Sequence, residues 1–241
     1  GLMIYQTDGT AGFYYYNGSS WDTYYSKNEV DTILTNLQNH VNQFTPKVGD
    51  RYQGGIVFYI YQSGDLGYVE GETHGLITAF KDVGYDTSAH FHWAGENAVY
   101  QLGNTGTAIG TGRANTWAIF NTIGENGDDG GLNAAGAAIA YSYGGWEDWF
   151  LPSRDELEKL VEWSSLNCQG PCCGNYCPDG FFSVGQCWSS SEYDPDTETW
   201  DDNGGFPNDY DATSAYCNLS GIWVWPKYST SPLAVRAVRA F

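Results

Sequence analysis

Basic side chains are scarce. Ten lysines and arginines stand against 29 aspartates and glutamates, leaving a formal charge of −19 on 241 residues. A nucleic acid would approach against that field, which disfavours nucleic-acid binding as a main function. Long apolar runs are missing as well. No stretch reaches the roughly 18 consecutive apolar residues that a membrane span needs, so no membrane insertion is expected, and the first residues lack the charged-then-apolar layout of a signal peptide. Gly1 is no initiator, so the sequence is expected to begin inside a longer gene product. The motifs of hydrolytic and nucleotide chemistry are also absent: there is no Gly-x-Ser-x-Gly elbow, His-Glu-x-x-His, phosphate loop or glycine fingerprint after a strand. No enzyme is expected.

What the chain does have is 17% aromatic side chains and 31 glycines with only 16% charge. That is the composition of a loop-rich globular protein. Its acidity is concentrated. No Lys, Arg or His occurs between Lys159 and Lys227, while Glu192, Asp194, Asp196, Glu198, Asp201, Asp202, Asp209 and Asp211 crowd into that interval. Such a run is ordinarily a solvated face, but it can also be neutralised by a cation or turned toward a partner. Asp201-Asp202-Asn203 has hard-cation chemistry, so calcium stands as an alternative to the expectation of no cofactor and no metal. His90 and His92 are two apart and read as strand residues beside Trp93, since no third ligand is near in sequence.

Cysteine is absent outside residues 168–217. Cys168, Cys172, Cys173, Cys177, Cys187 and Cys217 form an even set in that stretch. Disulfide stapling of an irregular region is one reading. A zinc site is the other, although the spacing lacks paired C-x2-C arms.

Three domains are expected, at residues 1–25, 26–45 and 46–241. In the first, β-prone runs at 2–6 and 13–16 flank a turn centred on Asp8-Gly9, forming a hairpin collar, and Asn17-Gly18 turns the chain again toward Trp21 and Tyr24. Six tyrosines are more than two strands can bury, so the hairpin requires a neighbour. In the second, Val30, Ile33, Leu37, His40 and Phe44 recur at spacings of three and four, widened by Leu34 and Val41, behind a Ser26/Glu29 capping box. A short helix with this seam packs against copies of itself, and β-branched residues in the first heptad favour a trimer; packing on its own domain is the other reading.

In the third, residues 56–61 read as a buried strand, residues 67–70 and 74–79 as a hairpin, and residues 115–123 and 132–143 as helices. The clearest helix start follows Pro152, with Ser153 as N-cap, Glu156 closing the capping box, and Leu157, Leu160 and Val161 facing inward. Glu147 and Asp148 read as shaping a turn rather than as an acid/base pair. Beyond Cys168 the chain is written in turns and short strands. A terminal strand puts Arg236 and Arg239 on opposite faces, and each needs a partner.

The blocks Gly54-Gly55-Ile56-Val57-Phe58, His74-Gly75-Leu76-Ile77, Ile109-Gly110-Thr111-Gly112-Arg113-Ala114-Asn115-Thr116, Trp149-Phe150-Leu151-Pro152-Ser153-Arg154-Asp155-Glu156-Leu157, Trp188-Ser189-Ser190-Ser191-Glu192 and Val235-Arg236-Ala237-Val238-Arg239-Ala240-Phe241 occur in this order. Together they resemble the C-type-lectin-like ligand-binding domain of bacterial and phage proteins that include the variable proteins of diversity-generating retroelements. The resemblance spans roughly residues 48–241. The N-terminal part is similar to connectors and helical necks of phage tail fibres and surface adhesins, which are commonly trimeric.

The resemblance implies an α+β fold: a C-type-lectin-like domain preceded by a β-hairpin collar and a short trimeric helical neck. It implies a receptor-binding surface between the Trp-Ser-Ser-Ser-Glu block and the terminal strand, longer here than usual by an acidic insertion around residues 200–207. The candidate ligand-binding residues are Tyr193, Asp194, Trp200, Asn203, Tyr210, Tyr216, Asn218, Trp223, Trp225 and Tyr228. Rigid aromatics among short polar side chains are the mixture that antibody paratopes use, and it suits carbohydrate too. The expected function is non-covalent recognition of a host cell-surface glycan or protein at the tip of a virion tail fibre, or by an adhesin that is secreted or held on a bacterial surface. The expected partners are two further copies, that receptor, and other tail or fibre subunits. A glycan-degrading enzyme or a structural decoration protein on the same scaffold is the alternative.

Overall fold

The computed structural model describes residues 2–9, 11–84, 89–94, 102–103, 105–126, 131–167, 186–192, 211–215, 222–226 and 232–241; for 24–26, 39–44, 211–215 and 222–226 it describes the backbone alone. The chain is mixed α and β with antiparallel sheets and few helices, in two compact units, Gly1–Pro46 and Lys47–Phe241.

In the first unit, β1 (Met3–Gln6), β2 (Gly12–Tyr16) and β3 (Trp21–Ser26) form an antiparallel sheet in that order. The second turn is built by Asn17, whose Oδ1 accepts from the amides of Ser19 at 2.9 Å and Ser20 at 3.0 Å, a side chain standing in for a backbone turn. Helix α1 (Lys27–Phe44) follows directly, tied back by the Lys27 amide donating to the Ala11 carbonyl at 2.8 Å. Of its apolar stripe, Ile33, Leu34 and Leu37 are exposed and Val30 is half-buried.

The second unit is organised on a four-stranded antiparallel sheet, ordered β10 (Val238–Ala240), β6 (Gly75–Thr78), β5 (Gly55–Ile60), β4 (Arg51–Tyr52). Both faces are buried, which is why β5 is apolar throughout rather than alternating. Val57 and Ile77, directly paired, face a core that includes Ile119 of α2 (Gly112–Ile123), the alanines of α3 (Ala134–Ile139), Trp93, Trp149 and Trp188. On the other face Ile56, Phe58 and Leu76 pack with Leu157, Leu160 and Val161 of α4 (Arg154–Asn167). A register shift between Val57 and Tyr59 marks a bulge that puts Phe58 and Tyr59 toward the same core, after which Ile60 returns to the first.

A two-residue turn closes β4 on β5, with Gln53 at φ 42° and Gly54 at φ 87°. Positive φ at both positions is the primed geometry that matches strand twist. Only glycine fits at 54, because a Cβ there would stand 2.9 Å from the Trp146 indole.

Three expectations need correction, the first being the helix expected over 132–143, which spans only Ala134–Ile139. Residues 67–70 form turns, and β6 pairs with β5 and β10, so the expected hairpin from 67–70 to 74–79 is not made. The terminal strand is only three residues long, because the chain from 233 to 237 bonds instead to Phe91, Gln186, Val83 and Ala79. A third sheet joins β7 (Cys187–Glu192), β8 (Asp211–Ala215) and β9 (Ile222–Pro226), antiparallel in that order.

Candidate functional site

Strand β7 is the root of the segment expected to carry binding, and the Trp-Ser-Ser-Ser-Glu block explains how it is held. All six of its residues are buried. The Trp188 amide donates to the Ala234 carbonyl at 3.0 Å, and its indole Nε1 donates to the Phe91 carbonyl at 2.6 Å. The Ser190 amide donates to the Pro152 carbonyl at 2.7 Å, and the Ser191 hydroxyl donates to the Gly106 carbonyl at 2.7 Å while accepting from the Arg154 amide at 2.9 Å. Small hydroxyls suit this place because each must satisfy loop backbone in a space that a larger side chain would fill.

Glu192 ends the strand. Its carboxylate accepts from the amides of Leu102 at 2.8 Å and Gly103 at 2.9 Å, and its own amide donates to Thr105 Oγ1 at 2.9 Å. The carboxylate is thus a clasp for Leu102, Gly103 and Thr105 and not a free acid.

Glu156 has the same character in deeper burial. Its Oε1 accepts from the Gly110 amide at 2.8 Å and its Oε2 from the Ser153 amide at 2.8 Å, while the Glu156 amide donates to Ser153 Oγ at 3.3 Å. This is the expected capping box of α4, extended so that one carboxylate also meets the start of α2, where Gly112 lies against it with no room for a Cβ. Burial pushes its carboxyl up to about 7 against the backbone donors that pull it down. A raised carboxyl is the mark of a general acid. Here the side chain is wholly enclosed, so no substrate atom reaches it.

The two arginines of the terminal block each meet a carboxylate. Arg236, fully buried, donates from Nε to Asp82 Oδ1 at 2.7 Å. Cys187 is buried beside them, its Sγ 3.8 Å from the same Asp82 oxygen. Arg239 forks onto Asp148, with Nε to Oδ1 at 2.7 Å and Nη2 to Oδ2 at 3.1 Å, gives Nη1 to Gln53 Oε1 at 2.7 Å, and lies over the Trp146 ring at 3.9 Å. Burial alone would raise Asp148, but the bonds and charge of Arg239 outweigh it and hold the carboxyl below its usual range.

From this root the sheet continues through β8 to β9 at its far edge. Trp223 pairs with Ser214 and Trp225 with Ala212, so the two tryptophans sit two residues apart on one face of the terminal strand of the sheet. Tyr193, Asp194, Trp200, Asn203, Tyr210, Tyr216, Asn218 and Tyr228 lie outside the described residues, as do Cys168, Cys172, Cys173, Cys177 and Cys217. His90 is exposed and His92 half-buried, either side of a bridge from Phe91 to Leu233. Among the described residues no three His, Cys, Asp or Glu side chains gather closely enough to hold a metal ion, and no helix is long and apolar enough to cross a membrane.

Sequence reasoning missed an open cleft of about 420 Å³ lined by Tyr61, Leu66, His74, Arg113, Phe150 and Phe241, among others. His74 bridges its wall, with Nε2 2.8 Å from Glu72 Oε2 and Nδ1 3.0 Å from the Phe241 carbonyl, and both contacts raise its pKa. These residues come from five separate stretches of chain, and no local spacing could have announced them. The chain matches no protein-family model, and no curated protein is significantly similar to it.

Proposed function

We propose that the chain is a homotrimeric receptor-binding protein, the tip of a phage tail fibre or a comparable surface adhesin, with a C-type-lectin-like domain that recognises a cell-surface glycan or protein without covalent chemistry. The observation that carries this reading is the contrast within the third sheet. Strand β7 is fixed to the core through every polar group described above, while β9 forms the outer edge with Trp223 and Trp225 on one face. A rigid root under an aromatic, acid-rich segment is how a scaffold positions binding loops. The exposed Ile33, Leu34 and Leu37 of α1 support self-association, and three modest sites on one stalk gain avidity. The buried carboxylates support the non-catalytic reading, since Glu156 and Glu192 hold backbone amides.

The test is binding of the full chain to a panel of intact bacterial cells and to a glycan array, with parallel arms in chelator and in reductant. Saturable binding to a subset of surfaces is expected. Loss in chelator assigns calcium to the acidic interval, and loss in reductant assigns disulfides to the cysteines. Binding to no surface overturns the reading, and depolymerisation of a bound polysaccharide replaces it with the glycan-degrading alternative.

A further inference from the structure

We infer that the N-terminal sheet is itself an assembly surface, in which one face of each copy packs on the opposite face of the next. The inference deepens the trimer proposed above and shares with it only the premise that the chain self-associates. It starts from burial. Among the described residues of Gly1–Pro46, Gly12 alone is buried. Among the described side chains of the three-stranded sheet and the eighteen-residue helix, none that is apolar is enclosed, although an isolated small sheet needs such a core to be stable.

The register shows where the missing cover belongs. Met3 pairs with Tyr15 and Tyr5 with Phe13, placing these four on one face, where the Tyr5 and Phe13 rings are 4.7 Å apart. Ile4, Tyr16 and Trp21 occupy the other, with the Tyr16 and Trp21 rings 5.5 Å apart. All seven side chains are exposed. Charge is nearly absent from both faces; Asp22, opposite Tyr15, is engaged by Asn17 Nδ2 at 2.6 Å. With Leu2 and the α1 stripe, roughly 1,000 Å² of apolar surface is open on this unit, taking about 200 Å² for a large side chain. A specific interface buries about 800 Å² per partner, and lone soluble chains rarely leave such patches bare.

The cover must accompany every folded chain in fixed ratio, and neutral faces offer nothing to a charged partner. Another copy of this chain satisfies both conditions. Two different apolar faces also argue against a two-fold pairing. A two-fold dimer pairs one face with itself and leaves the other wet, whereas contact of one face with the opposite face of the next copy covers both, and closes a three-chain ring where the rotation between copies is a third of a turn.

Phe13→Glu spoils the first face and Trp21→Glu the second, and the masses of both full-length variants, alone and mixed, test the inference. The wild type is expected as three-chain particles, each variant alone as single chains, and the mixture as two-chain particles with nothing larger, because one intact face of each kind remains. Two-chain particles from either variant alone mean like-on-like pairing and overturn the inference, as does a mixture that stays single. Variants that keep the wild-type mass show that the helix alone assembles the protein, which overturns the role of the sheet while the trimer stands. Wild-type single chains overturn both.

Discussion

Glu156 carries more of the fold than its single negative charge suggests. Its two oxygens satisfy amides at the starts of two helices, so Glu156→Ala strands several buried N–H groups and is expected to cost about 2–4 kcal/mol in urea unfolding. The pH dependence has a definite sign. The carboxyl holds its proton up to about 7 in the folded chain against 4.5 as its ordinary value, so its contribution is fully present below the ordinary value and is lost as pH rises through about 7. His74, also raised, acts in the same direction, and Asp148, lowered, acts in the opposite one, its contribution lost in acid. Glu156→Gln isolates the first of these. The wild-type urea midpoint is expected to fall more steeply between pH 5 and pH 7.5 than that of the variant, and parallel slopes would show that Glu156 does not titrate there. Arg239 makes a second prediction. Its removal leaves Asp148 and Gln53 without their donor and Trp146 without its cation, an expected loss of about 2–3 kcal/mol given that Asp148 is one-third exposed and partly screened. Arg239→Lys is expected to recover little of it in thermal unfolding, because an ammonium cannot make the forked contact.

Strand β7 joins the core to the rest of the third sheet, and Glu192 closes that joint. Glu192→Ala is expected to speed hydrogen exchange at the Leu102 and Gly103 amides about tenfold to a hundredfold, with the amides of β5 unchanged. Equal acceleration in β5 would show global loss of stability instead. Elements with a local signal were legible in the sequence. The capping box fixed the start of α4, the unbroken apolar run gave β5, and the spacing of three and four gave α1. What was not legible depended on distant chain. Residues 67–70 have strand composition but find no partner edge, because β10 and β5 already flank β6. Helix α3 is shorter than its alanine content suggests, starting where Asn133 caps it by accepting from the Gly136 amide at 2.8 Å. The family-like blocks were readable as motifs, yet their task, binding loop backbone across more than 80 residues, appears only in the folded chain. The candidate binding residues rest on the resemblance and on composition, and of these only the strand positions of Trp223 and Trp225 fall within the described residues.

For the whole molecule, the proposed trimer and the proposed docking face make separable demands. A chain held single by Phe13→Glu is expected to keep an unaltered Lys47–Phe241 unit while its apparent affinity for a cell surface falls about 10²–10⁴-fold, the usual loss when linked sites become independent. Surface binding measured against the isolated sites on a dilute sensor checks this, since the two affinities converge for a chain that never assembled. The most direct test of the docking face is a binding isotherm on intact cells for the wild type and for the Trp223→Ala/Trp225→Ala double variant. With assembly and unfolding midpoint unchanged, the variant is expected to bind at least tenfold more weakly. An isotherm that superimposes on the wild type would contradict the account.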